Sequence, residues 1–233
     1  MEIDATRKTT LAFELSALNP SVFGGIIFKS ATPEQTDTIL DFFKKSNFQL
    51  NKIFSNFSIT DLNGGIDPLE SLQKGYLVHR KGILSRPGWF SCTSLNEMPK
   101  ALQSILTHQM DKIKLGPVLA FDDGYRKDEI SLPKLCDRLA FSIDLTEVRF
   151  NQFFPDFIST SNGSKVPKAE ITEAQIQSVV ISAIKFGIVD IRPAYMTINA
   201  AQYLATLDNR IATEQKDLNL AATLILAHRA QVM

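Results

Sequence analysis

Cysteine occurs only twice in 233 residues, at Cys92 and Cys136, far apart and with no CxxC pair. That scarcity excludes a disulfide scaffold and a thiolate zinc site, and it fits a reducing compartment. Both thiols are expected to act as small buried hydrophobes rather than nucleophiles. There are three histidines, and His79 and His108 have no His or carboxylate at ligand spacing, so each reads as a structural or solvated side chain. The single Trp, Trp89, heads an apolar run and is expected to pack in a core. Acidic and basic side chains balance at 25 each, for a formal net charge of zero. With no basic surplus to hold a phosphate backbone, nucleic acid is not an expected partner. No run of about 18 apolar residues occurs, so no membrane-spanning helix is expected. The N-terminus lacks the basic-then-apolar order of a secretory signal. The expectation is a soluble, cytoplasmic chain.

Hydrophobic spacing and punctuation divide the rest. Thr10 to Leu18 has helical periodicity and stops at Asn19-Pro20, because a residue before proline is pushed out of the helical region. Val22 to Phe28 reads as a buried strand. Pro33 opens a helix through Lys45, with proline in a tolerated first-turn position. Further strands are expected at Gln49–Phe57, Gly88–Thr93, Pro117–Phe121 and Leu139–Leu145. Between them come a turn at Asp61–Gly65 and helices at Pro68–Lys74, Pro99–Met110 and Leu132–Arg138. Alternating strands and helices imply a parallel sheet covered on both faces. Beyond about Thr146 the pattern is a polar loop at 159–165 followed only by helices. Thr172-x-x-Gln175 is a capping box for a helix to Phe186, ended by Gly187. Pro193 opens a second helix to Leu207, and Thr213 caps a third, Glu214 to His228. The phenylalanines 150, 153, 154 and 157 are expected to pack the junction between the two regions.

Several segments, taken in order, resemble the AAA+ subunits of magnesium chelatase. They are Gly64-Gly-Ile-Asp-Pro-Leu-Glu-Ser-Leu-Gln-Lys-Gly75, Lys81-Gly-Ile-Leu84 and Gly88-Trp-Phe90. Leu132-Pro-Lys-Leu-Cys-Asp-Arg-Leu-Ala-Phe141 and Asp190-Ile-Arg192 follow. Last comes the closing stretch from Arg210 to Arg229, with its Asp-Leu-x-x-Ala-Ala and terminal His-Arg. The match runs from about Phe13 to Arg229. It implies a P-loop AAA+ fold of class α/β: a parallel sheet flanked by helices over residues 1–145, then a small all-α lid domain over 146–233.

The nucleotide chemistry of that fold is not written in this chain. A P-loop, GxxxxGK(S/T), cradles phosphates with backbone N–H groups, neutralises them with Lys and holds Mg²⁺ through a hydroxyl. The matching stretch reads Ser30-Ala-Thr-Pro-Glu-Gln-Thr-Asp37, with Thr36 in place of the Lys and Asp37 in place of the hydroxyl residue. Pro33 lacks an N–H, and Glu34 and Asp37 would repel a triphosphate. The Walker-B position, an apolar strand ending in acids, reads Phe90-Ser-Cys-Thr93-Ser94. The sensor Asn is replaced by Asp122-Asp123. The acidic loop holding Asp122, Asp123, Asp128 and Glu129 is expected to be solvated rather than a Mg²⁺ site. No cofactor or metal is expected on this chain, and no ATP turnover.

Two residues keep the family's pattern. Arg138 falls where the family carries a finger that reaches the neighbouring subunit's ATP, and Arg192 falls at the lid's sensor-2 position. The fixed fork of a guanidinium suits phosphate oxygens. Arg138 has a second reading, an ion pair with Asp137, and Arg192 has others, contact with a partner's nucleotide or a structural role. A degenerate phosphate loop on a retained scaffold, with Leu15-Ser-Ala-Leu-Asn-Pro20 and Phe23-Gly-Gly-Ile-Ile-Phe28, is similar to the family's D subunit. In that family, rings of D with the ATPase-active I subunit work with a large porphyrin-binding subunit. Together, using Mg-ATP on I, they insert Mg²⁺ into protoporphyrin IX in (bacterio)chlorophyll biosynthesis. D subunits continue into a Pro/acid-rich linker and an integrin-like domain. The alternative is a stand-alone adaptor that docks on a MoxR-like AAA+ ATPase and has no part in metal insertion.

Overall fold

A computed structural model of the protein describes residues 4–46, 48–112, 115–122, 133–148 and 166–230. The phenylalanines at 150–157, the polar loop at 159–165 and the acids Asp123, Asp128 and Glu129 lie outside the described residues.

Five parallel strands form the centre: β1 (Gly25–Lys29), β2 (Leu50–Ile53), β5 (Trp89–Cys92), β6 (Val118–Asp122) and β7 (Phe141–Asp144), in the order β2-β5-β6-β1-β7. The strands are continuous apolar runs because both faces are covered, and their alternate residues feed two cores. Phe28, Trp89, Leu119, Phe121 and Phe141 point to one side with Phe13 and Phe43. Ile27, Phe90, Cys92, Val118 and Ala120 point to the other with Leu102, Leu106 and Leu135. The first core is rich in aromatics. Trp89 packs edge-on against Phe43 at 4.9 Å between ring centroids, and Phe28 stacks on Phe121 at 5.1 Å.

Helix α1 (Ala5–Leu18) covers the first face together with α3 (Pro33–Lys45), and α6 (Lys100–Lys112) covers the second with the short α7 (Pro133–Cys136). The three helices α8 (Glu173–Lys185), α9 (Ile191–Leu207) and α10 (Gln215–Ile225) pack on one another and contribute to the first core. The architecture is therefore the expected α/β sheet with a following all-helical lid.

Local boundaries depart from expectation where side chains cap the backbone. Residues 20–23 are not strand but a one-turn helix, α2 (Pro20–Phe23), because Asn19 Oδ1 accepts the Val22 N–H at 3.3 Å. The chain then turns into β1 through Gly24 (φ +67°) and Gly25 (φ +139°), and a Cβ at Gly25 would lie 1.9 Å from the Val118 carbonyl. Such a contact leaves room for glycine alone. The strand expected over 49–57 shortens to Leu50–Ile53. The turn at 61–65 is instead α4 (Ile59–Asn63), capped by Ser58 and Asp61, leading into the antiparallel pair β3 (Gly64–Ile66) and β4 (His79–Lys81) around α5 (Pro68–Lys74). Helix α7 is described only over Pro133–Cys136. In the lid, α8 has its capping box: Gln175 N–H donates to Thr172 Oγ1, and the Gln175 side chain accepts the Thr172 N–H. Helix α9 begins at Ile191, two residues before Pro193, because Asp190 Oδ1 accepts the Arg192 N–H at 3.0 Å. The third helix is headed by Glu214 rather than Thr213. Thr213 is drawn into a bridge with Glu170, and the Glu214 N–H donates to Asp217 Oδ2 at 2.8 Å. It ends at Ile225, followed by a tighter turn at Ala227–Arg229.

Among the described residues, no helix is long and apolar enough to cross a membrane.

Candidate functional site

The residues singled out from the sequence gather at two places, at opposite edges of the parallel sheet. Thr36, Asp37, Thr93 and Ser94 meet around one cavity of about 240 Å³, completed by Ala31, Pro33 and Phe121. It lies beyond the carboxyl ends of β1, β5 and β6, the edge where open α/β sheets bind ligands. The stretches read as phosphate loop and Walker-B strand thus face each other. Glu34 is exposed and does not line the cavity.

Two local features shape this cavity. Only Ser30, Ala31 and Thr32 separate β1 from α3, and the helix N-terminus is closed by its own side chains. Thr32 Oγ1 accepts the Gln35 N–H at 3.3 Å, and Gln35 Oε1 accepts the Thr32 N–H at 3.1 Å. Gln35 Nε2 also donates to the Leu145 carbonyl. These bonds occupy helix-end groups that an anion would otherwise use. Among the described residues, the lining offers hydroxyls and one carboxylate, with no cation. Asp122, at the end of β6, accepts a 2.7 Å hydrogen bond from Asn96. Among the described residues, no group of three or more His, Cys, Asp or Glu could hold a metal ion.

Arg138 and Arg192 meet at the other edge. They line a second cavity of about 240 Å³ with Pro20, Gly24, Asp111, Gly116 and Tyr195. Gly24 and Gly116 precede the amino ends of β1 and β6, so this pocket opens below the sheet. Asp111, in the last turn of α6, joins the two arginines. Arg138 donates to it through Nε at 3.0 Å and through Nη2, and Arg192 donates through Nη1 at 3.3 Å. The Arg138 side chain is 18% exposed and that of Arg192 is 36% exposed. The hydrogen bonds from Arg138 hold the Asp111 carboxyl below its ordinary pKa, and the charge of Arg192 adds to the effect. Asp111 is thus an acceptor of Arg138 that the sequence did not pair with it.

A five-residue strand rises about 16 Å, far more than an arginine side chain reaches. Arg138 and Arg192 therefore cannot touch a phosphate bound at this chain's own α3 N-terminus.

Three groups that the sequence did not single out hold this pocket. Asp111 sat beyond the expected end of its helix. Arg229, half-buried at the end of the lid, donates to the carbonyls of Leu139 (2.6 Å), Ala140 (3.0 Å) and Ile225 (2.7 Å). It thereby fastens the lid to the stretch that follows Arg138. Tyr203 of α9 accepts from Asn19 Nδ2 at 3.1 Å and packs edge-on against Phe23, which fixes α2 against the lid. The closing His-Arg of the lid was the one sequence signal for Arg229. Asn19 and Tyr203 are 184 positions apart, and nothing local pairs them.

Elsewhere the lid is braced by a buried ion pair. Asp217 accepts from both Arg210 nitrogens at 2.6 Å, and Arg210 also meets Asp208 at 2.9 Å. Burial alone would raise the Asp217 pKa, but the hydrogen bonds from Arg210 outweigh it and hold the carboxyl below its ordinary value. Cys92 is fully buried between the sheet and α6, and burial pushes its thiol up to about 12. Trp89 is buried as expected, and His79 and His108 are exposed.

The AAA lid domain family matches residues 176–233, the three-helix region that follows the sheet. Solved structures with the same fold include a putative ATPase from Cytophaga hutchinsonii (TM-score 0.64, 17% identity, 96% of this chain and 87% of that one). A full-length MCM homologue from Methanopyrus kandleri is similar too (TM-score 0.67, 17% identity, 96% and 55%). Among curated proteins, the chain is similar to two magnesium-chelatase 60 kDa subunits. That of Rhodobacter capsulatus is 26% identical over 225 residues, covering 94% of this chain and 40% of the relative. That of Cereibacter sphaeroides is 25% identical over 235 residues, covering 99% and 42%. The chain spans about two fifths of the length of these relatives.

Proposed function

We propose that this chain is a non-hydrolytic AAA+ platform of magnesium chelatase, of the D-subunit type. On this reading it assembles with the ATPase-active I subunit and the large porphyrin-binding subunit for Mg²⁺ insertion into protoporphyrin IX. Its role in the reaction is to present Arg138, with Arg192 beside it, to Mg-ATP held on the neighbouring subunit. The observation that carries the proposal is the separation of the two sites. The cavity at the carboxyl edge of the sheet is lined, among the described residues, by Thr36, Asp37, Thr93 and Ser94, with no Lys for the phosphates and no acid pair for a metal and water among them. The paired arginines stand at the far end of the strands, about a strand length from that cavity. The similarity to the 60 kDa chelatase subunits over nearly the whole chain supports the choice of assembly.

A finger supplied in trans stabilises charge that develops on the transferred phosphoryl group, worth roughly 10³–10⁵ in rate in GTPase systems. Arg138→Ala in a mixed assembly is therefore expected to lower ATP hydrolysis by at least tenfold while leaving the fold intact. Two measurements test the proposal. The first is size-exclusion chromatography of this chain with a magnesium-chelatase I subunit, with and without Mg-ATP. Co-elution as a ring-sized particle supports the platform. Separate elution under both conditions would transfer the reading to an adaptor for another AAA+ ATPase, such as one of the MoxR-like class. The second is ATP turnover by the chain alone, where hydrolysis above background would refute the non-hydrolytic assignment.

A further inference from the structure

We infer that Asp111 is the positioning residue of the arginine pocket: one carboxylate that holds Arg138 and Arg192 together as a preformed anion-binding pair. The inference rests on the reading of Arg138 as a residue that acts on a neighbouring subunit's phosphates.

Three observations lead to it. First, Asp111 occupies the last turn of α6, where the helix dipole disfavours a negative charge. Helix propensity and capping give no reason for an acid there. Second, its two oxygens take three hydrogen bonds from two arginines that belong to different parts of the fold. Arg138 lies between α7 and β7, and Arg192 lies at the start of α9 in the lid. Third, the bridged group faces a cavity of about 240 Å³ that is open to solvent.

These features suit one task better than an ordinary surface ion pair. Two unbridged guanidiniums this close would repel and swing apart into water, since neither is deeply enclosed. Bridged by Asp111, they keep a fixed spacing beside the cavity through which a phosphate would approach. Gly24 tightens the arrangement from below, because a Cβ there would lie 2.0 Å from the Arg138 carbonyl, so the Arg138 backbone is pressed against the entry to β1. A group that fixes geometry without touching the reacting atoms acts on the chemical step and leaves nucleotide affinity, which the partner subunit supplies, unchanged.

The test uses the full chain mixed with the ATPase-competent partner subunit. It compares Asp111→Asn, Asp111→Glu, Arg138→Ala and the Asp111→Asn/Arg138→Ala double variant. Assembly is followed by size exclusion and turnover by steady-state kinetics with Mg-ATP. Asp111→Asn is expected to lower kcat by about 10- to 100-fold, with KM for Mg-ATP within about twofold. Adding Arg138→Ala should cost nothing further, and Asp111→Glu should recover part of the loss. A wild-type kcat for Asp111→Asn beside a lowered one for Arg138→Ala would overturn the positioning role alone. Failure of Asp111→Asn to enter the assembly would also overturn it, because the residue would then be holding the lid rather than the arginines. An unaffected Arg138→Ala would remove the finger reading itself, and the positioning role with it.

Discussion

Replacing Arg229 by Met is expected to loosen the lid from the sheet, and its cost can be worked from the contacts. The guanidinium donates three charge-assisted hydrogen bonds to the main-chain oxygens of Leu139, Ala140 and Ile225. At about 1.5–3 kcal/mol each, these contribute about 4–9 kcal/mol gross. Opposing them is the cost of partly desolvating the cation, which pushes its pKa down to about 10. That corresponds to about 3 kcal/mol, at about 1.4 kcal/mol for each tenfold change. Met fills the space of the side-chain stem without the charge, so the variant escapes the desolvation cost but leaves three carbonyls short of a donor. The net loss is about 3 kcal/mol, and for a chain of this size that lowers Tm by about 6–12 °C. Thermal unfolding followed by circular dichroism, with urea denaturation as a check, measures it. The exposed Lys185→Met serves as a control for loss of a cation alone. A loss under about 1 kcal/mol, equal to that of the control, would refute the reasoning. It would mean that water reaches the three carbonyls and that Arg229 does not hold the lid against the stretch after Arg138.

Three further outcomes follow from the buried groups. Asp217→Asn breaks a buried ion pair from one side and is expected to cost about 3 kcal/mol, read as a shift in the urea midpoint. The same carboxylate gives the protein an acid limb. Its folded pKa lies below the ordinary 3.8, so folding favours the deprotonated form. The stabilisation is complete above about pH 4 and drains away as pH falls through the folded value. Stability measured between pH 5 and 2 should fall less steeply in Asp217→Asn than in the parent chain, and equal slopes would sink this account. The Cys92 thiol, raised to about 12 by burial, should resist a thiol reagent such as DTNB at pH 8 in the native state. Reaction of Cys92 before unfolding, located by mass spectrometry, would contradict its burial between the sheet and α6.

Much of the fold was legible because its signals are local. Apolar runs at Ile26–Phe28, Trp89–Cys92 and Val118–Phe121 state a strand buried on both faces, and Thr172 with Gln175 states a helix start, whatever the rest of the chain does. The misread boundaries share one cause. At Val22, Ile191 and Glu214 a side-chain oxygen two or three residues away caps the backbone, and such a bond outweighs the periodicity that marked the strand or helix end. The functional residues divide the same way. Thr36, Asp37, Thr93 and Ser94 could be read as positions in a phosphate-binding pattern because that pattern has fixed spacing along the chain. Arg138 and Arg192 could be named individually, but their meeting could not, since 54 positions separate them and the carboxylate that joins them lies on a third element.

Composition, periodicity and capping signals by themselves determined that this chain builds a parallel sheet followed by a helical lid, because burial and turn chemistry act over a few residues. Only the tertiary structure decided that Asp111 gathers both arginines, that Arg229 ties the lid to the residues beside them, and that this group stands a full strand length from the cavity lined by Thr36 and Asp37. Those relations depend on how the helices cross the sheet, and electrostatic contact, which falls off within a few ångströms, exists only once that packing has brought distant residues together.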